Sequence, residues 1–127
     1  MTKTKGLTSE QRRQLATCCA AASDKKAEEI AVLDLRGITG IADFFIICSG
    51  SSDRQVQAIS DSVEEKLREL GLKGYHIEGK KSGNWVLMDY HDIVVHVFHQ
   101  TARAFYALDG LWGDAKRLSP HELGAAG

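Results

Sequence analysis

The order of apolar patterns along the 127 residues predicts an α/β fold, a mixed five-stranded sheet flanked by helices. Three observations predict it. Phe44, Phe45, Ile46, Ile47 and Cys48 are apolar in succession, the pattern of a central strand covered on both faces. Val56, Ile59, Val63, Leu67 and Leu70 recur at steps of three and four, the period of an amphipathic helix. Trp85 to Met88 and Ile93 to His99 are strand-forming runs on either side of the turn Asp89-Tyr90-His91-Asp92, so they pair back on each other.

The remaining elements follow in order. Thr8 to Gln11 has the spacing of a capping box, and the Ala-rich segment through Ala22 continues as a helix. Leu15, Cys18, Cys19 and Ala22 share one face of it, and Asp24-Lys25-Lys26 ends it. Ile30 to Leu33 is a first strand, Arg36 to Gly40 a turn, and Asp43 to Ser49 the central strand. Ser52 and Gln55 repeat the capping spacing at the start of the second helix, and Gly71 suits the left-handed residue after its end. Tyr75 to Glu78 is a short strand, followed by a polar loop over Gly79 to Gly83. Ala102 to Leu108 reads as a last helix. The chain is expected to be one domain over 1–127, with 1–7 and 118–127 frayed; the only proline, Pro120, lies in that tail.

Composition narrows the function. A hydrophobic fraction of 43% and a charged fraction of 26% suit a globular domain with one core. A net charge of −1 and a pI near 6.5 argue against nucleic acid as the main partner, because phosphate binding needs a Lys/Arg surplus. The pairs Arg12-Arg13, Lys25-Lys26, Lys80-Lys81 and Lys116-Arg117 are scattered and read as solvated surface. Three cysteines, Cys18, Cys19 and Cys48, form neither a disulfide framework nor a CxxC metal pattern, so they read as buried thiols in a reducing compartment. No apolar run reaches the roughly 18 residues of a membrane span, and the N-terminus is polar. A cytoplasmic location is expected.

Three chemistries are suggested by residue types. His91, Asp92, His96 and His99 invite a metal, but alternation along a strand sends His96 and His99 to opposite faces, and no metal is expected. Gly50-Ser51 stands between a buried strand and a helix, where backbone N–H groups cradle phosphate or simply make a turn with an N-cap. Nucleotidyltransferases carry Gly-Ser here with a paired carboxylate on the next strand. Tyr75-His76-Ile77-Glu78 lacks that pair, and two-metal catalysis needs it. Cys48 lies in an apolar strand, where a thiol is inert. No catalytic residue and no cofactor is expected. Trp85, Met88, Tyr90 and Trp112 are either core covers or interface anchors; Trp85 and Tyr90 stand near the acids Asp89 and Asp92, as anchors with a polar rim do.

The ordered blocks KKAEEIAVLDL (25–35), DFFIICSGSSDRQVQAI (43–59), EG (78–79), WVLMDYHDIVVHVF (85–98) and RAFYALDGLW (103–112) resemble the ribosomal silencing factor family, also called Iojap. The likeness runs from Lys25 to Trp112. It implies a nucleotidyltransferase-like fold without the catalytic carboxylates. It implies binding to the fourteenth protein of the large ribosomal subunit, a block on subunit joining, and repression of translation during starvation or stationary phase. It also implies that the free protein can be a homodimer, while the mildly acidic composition argues for little direct RNA contact. By position, the family's W-V-x-x-D block falls on Trp85 and Asp89, and Tyr90, His91 and Asp92 fill the turn after it. These residues, with Leu87 and Met88, are expected to line the partner surface. Asp109 stands where many members have Glu. The alternatives are a residual nucleotide binder at Gly50, Ser51 and Ser52, and a large-subunit maturation factor.

Overall fold

Cooperation between two helices and a sheet is visible in a computed structural model, which describes residues 6–106 and 115–124. The elements are α1 (Ser9–Asp24), β1 (Glu28–Asp34), β2 (Phe44–Gly50), α2 (Asp53–Glu69), β3 (His76–Glu78), β4 (Trp85–Asp89), β5 (Ile93–His99), α3 (Gln100–Tyr106) and β6 (Lys116–Leu118). Among the described residues the strands form one six-stranded sheet in the order β3-β4-β5-β2-β1-β6. The β2–β5 pair is parallel and the other four pairs are antiparallel. A parallel pair needs a crossover, which runs through α2.

All seven residues of β2 are buried, and it lies between β1 and β5 as its unbroken apolar run requires. Its side chains feed two cores. Phe44, Ile46 and Cys48 join Val86, Met88, Ile93, Val95 and Val97 beneath α1 and α2, which contribute Leu15, Cys18, Cys19, Val56, Ile59, Val63 and Leu67. Phe45 and Ile47 face the other way, with Leu33, Leu35, Val94, Phe98 and Ala102. Burial of the α2 stripe alone removes Val56, Ile59, Val63 and Leu67 from water, each worth about 1.5–3 kcal/mol.

The first helix cap forms as the sequence predicts, and the second forms in its N-cap half. Thr8 Oγ1 accepts from the Gln11 N–H at 3.0 Å, and Gln11 Oε1 accepts from the Thr8 N–H at 2.9 Å, a reciprocal capping box. Ser52 Oγ accepts from the Gln55 N–H at 3.0 Å. Gly71 follows α2 with φ +90°.

Three expectations are corrected. The sheet has six strands and not five, because Lys116–Leu118 pairs with β1, Leu118 lying opposite Val32. Two of its three residues are charged and exposed, so periodicity cannot reveal it; only Leu118 turns inward. The tail up to Gly124 is also packed and not frayed. Leu118 and Leu123 enter the helix-side core, and Arg12 Nη1 donates to the Glu122 carbonyl at 3.0 Å. α3 starts two residues before the expected Ala102. The end of that expected helix at Leu108, together with Asp109 and Trp112, lies outside the described residues.

Candidate docking surface

β4 sorts the expected contact residues by parity. Val86 and Met88 are fully buried beneath the helices, while Trp85, Leu87 and Asp89 project from the opposite face and are half-buried. Met88 therefore does not line a surface. Tyr90 continues the parity of Met88 and is buried in the helix-side core, so it is also removed from the contact set. Both were expected there because the block was read as contiguous; a strand divides such a block between two faces. Burial, followed by the Glu64 carboxylate, pushes the Tyr90 hydroxyl up to about 12.

The indole of Trp85 stacks on Phe98 with centroids 5.0 Å apart, and its N–H donates to His96 Nδ1 at 3.2 Å. Behind it the chain must come close. A Cβ on Gly79 would stand 2.0 Å from the Trp85 carbonyl oxygen, and Gly79 has φ +95°, so only glycine fits. Glu78, Gly79, Trp85 and Leu87 enclose a shallow groove of about 290 Å³.

The turn after β4 is fixed by its own bonds. Asp89 Oδ1 accepts from the His91 N–H at 2.8 Å, and the Tyr90 N–H donates to the Ile93 carbonyl at 2.9 Å. His91 is held at φ +73°, a conformation uncommon outside glycine. The Asp92 carbonyl accepts from the Asp43 and Phe44 N–H groups, which ties the turn to β2 and leaves the Asp92 side chain exposed.

The other candidate chemistries resolve geometrically. The Ser51 N–H and hydroxyl both meet Gln55 Oε1, at 2.6 and 2.9 Å, so the two Ser51 donors that could meet a phosphate are engaged within the turn. Gln55 thus bonds Ser51 and not the N-cap residue, and the second capping box is only half formed. On β3, His76 and Glu78 pair with each other at 3.3 Å in place of a carboxylate pair. His96 belongs to the face of Phe45 and Phe98, whereas His99 lies on the other parity and its Nδ1 bonds Thr101. Burial pushes the Cys48 thiol up to about 12, far from a thiolate at neutral pH.

Sequence reasoning missed three features. His96 is the partner of Trp85, which only the β4–β5 register could reveal. Gly79 is the close-approach residue. Ile38, Ile41 and Tyr75 are exposed apolar residues in loops.

Fold and site together define a small α/β domain that presents an aromatic strand face beside a preorganised acidic turn. The chain belongs to the ribosomal silencing factor family: residues 8–126 match the family model described as RsfS, ribosomal silencing factor during starvation. It is 47% identical over 105 residues to the ribosomal silencing factor RsfS of Bacillus subtilis, covering 83% of this chain and 89% of that one. It is 39% identical over 106 residues to the chloroplastic protein Iojap of Zea mays, covering 81% of this chain and 43% of that protein. A crystal structure from Bacillus halodurans matches with a TM-score of 0.75 and 40% identity, covering 85% of this chain and 98% of that chain. One from Chromobacterium violaceum matches with a TM-score of 0.78 and 36% identity, covering 85% and 89%. The family is named for silencing ribosomes, a regulatory role and not an enzymatic one. Among the described residues no helix is long and apolar enough to cross a membrane.

Proposed function

We propose that this protein represses translation in the cytoplasm by docking on the fourteenth protein of the large ribosomal subunit, where it blocks joining of the small subunit when nutrients are short. The observation that carries the reading is the outer face of β4, where Trp85, Leu87 and Asp89 project together beside an exposed acidic turn. A half-exposed tryptophan held in one orientation is a ready anchor, and the carboxylates of Asp89 and Asp92 suit a basic ribosomal protein better than ribosomal RNA. Silencing by this route is steric. While the large subunit is occupied its joining face is unavailable, and the balance follows mass action. No cofactor or turnover is required. The fold is read as nucleotidyltransferase-like, with His76 and Glu78 where the catalytic carboxylates would stand, and the free protein as a homodimer.

The test is sedimentation with purified subunits. Wild type is expected to travel with large subunits and not with small ones. Trp85→Ala is expected to weaken the association by about 2 kcal/mol or more, as truncation of an anchoring tryptophan commonly does. Unaltered binding by Trp85→Ala would remove the β4 face from the account.

A further inference from the structure

Among the described residues the most exposed large apolar side chains do not lie on β4. They are Tyr75, 69% exposed, Ile41, 66%, and Ile38, 44%. Single exposed apolar residues are ordinary. These three share one end of the sheet. Tyr75 precedes β3, and its N–H donates to the Asp89 carbonyl at 2.8 Å while its ring lies 4.2 Å from that of His91. Ile38 and Ile41 belong to the β1–β2 loop, which adjoins the His91-Asp92 turn through the bonds from Asp43 and Phe44 to the Asp92 carbonyl. Three strand spacings separate β3 from β2, so the strip is on the order of 15 Å long.

Its charge is specific. Asp43, Asp89 and Asp92 stand along it, and none has an ion-pair partner among the described residues. The nearby Arg36 bonds Asp34 at 2.9 and 2.7 Å and also attracts Asp43 electrostatically, so the net negative charge of the strip rests on Asp89 and Asp92. Apolar contacts set beside the carboxylates of Asp89 and Asp92 fit a basic protein segment that also offers an apolar side chain. Phosphate would be repelled.

We infer that the docking surface continues from the β4 face around the turn onto Tyr75, Ile41 and Ile38, and that this strip receives a basic segment of the same ribosomal protein partner. The inference rests on the docking function proposed above and extends its footprint to residues outside the W-V-x-x-D block. His91, strained at φ +73°, is the hinge point at which the two parts meet. Its ring supports Tyr75, and the Asp89 carboxylate of the β4 face holds its backbone.

The experiment is quantitative co-sedimentation with large subunits, comparing wild type, Ile41→Ser with Tyr75→Ser, Asp92→Lys, and Trp85→Ala. The altered strip residues are exposed and the Asp92 side chain makes no hydrogen bond or ion pair among the described residues, so melting temperatures should match wild type. The double variant is expected to bind about tenfold more weakly. Asp92→Lys is expected to weaken binding at low salt and much less at high salt. Wild-type affinity in both, with loss in Trp85→Ala, overturns the strip and leaves the docking function standing. Failure of wild type to sediment with large subunits overturns both. Tighter binding by Asp92→Lys would place the strip against RNA phosphate and overturn it. A change in self-association alone, read by analytical ultracentrifugation, would assign it to a second copy of the chain and also overturn it.

Discussion

The Trp85 indole N–H donates to Nδ1 of His96 at 3.2 Å across the β4–β5 pair. An indole nitrogen only donates, so Nδ1 must be unprotonated and the neutral ring carries its proton on Nε2. Nε2 is buried and has no hydrogen-bond partner among the described residues. His96 therefore serves the orientation of Trp85 at the expense of an unsatisfied donor of its own. Phe45 holds the imidazole edge-on at 4.6 Å, which leaves it little freedom to turn.

His96→Phe separates these two roles. The ring packing is retained and the unpartnered donor disappears, so thermal stability is expected to hold or rise. The indole loses its acceptor, and large-subunit binding is expected to weaken about fivefold, the equivalent of one ordinary hydrogen bond. A melting curve and a binding isotherm on the same preparation check both halves.

Acid should reveal His96 through stability. Burial lowers its folded-state value to about 4, against an ordinary 6.5. Between those values the unfolded chain binds a proton that the native chain refuses, so the contribution of His96 to stability falls as pH drops from about 6.5 and levels off near 4. Denaturant unfolding of wild type and His96→Phe across this range should show a steeper acid loss in wild type. Parallel profiles would mean that the imidazole is accessible to protons in the folded protein.

Gly79→Ala should disturb the site from behind. The new Cβ meets the Trp85 carbonyl, and φ +95° is unfavourable for alanine. A stability loss of about 2 kcal/mol or more is expected, together with a moved Trp85 indole resonance in a nitrogen-edited NMR spectrum.

The three thiols should be silent. Cys18, Cys19 and Cys48 are all buried, and burial pushes Cys19 and Cys48 to about 12 and raises Cys18 well above its ordinary value. An aromatic disulfide reagent at pH 8 should label none in the native protein and all three after denaturation. Fast native labelling of Cys48 would reopen a nucleophilic role.

The strong periodicities of this chain were readable because burial enforces them. The apolar run of β2 and the three-four spacing of α2 each leave one solution, and both elements lie where expected. β6 was hidden because an edge strand of Lys116, Arg117 and Leu118 is mostly solvated. The site was half legible. Trp85 and Asp89 could be picked from the block, but dividing the block between faces needed the strand parity that buries Met88 and Tyr90. Ile41 and Tyr75 left no pattern in the sequence, because loop residues have no period and their exposure arises from tertiary packing alone.

Subunit joining in a sucrose gradient reads out silencing itself. Separated small and large subunits are mixed under associating conditions with no addition, with wild type, or with Trp85→Ala. Wild type is expected to hold the subunits apart and travel with the large one, and Trp85→Ala is expected to let them join at concentrations where wild type prevents it. Normal joining with saturating wild type bound to the large subunit, or equal inhibition by Trp85→Ala, would contradict silencing through the β4 face.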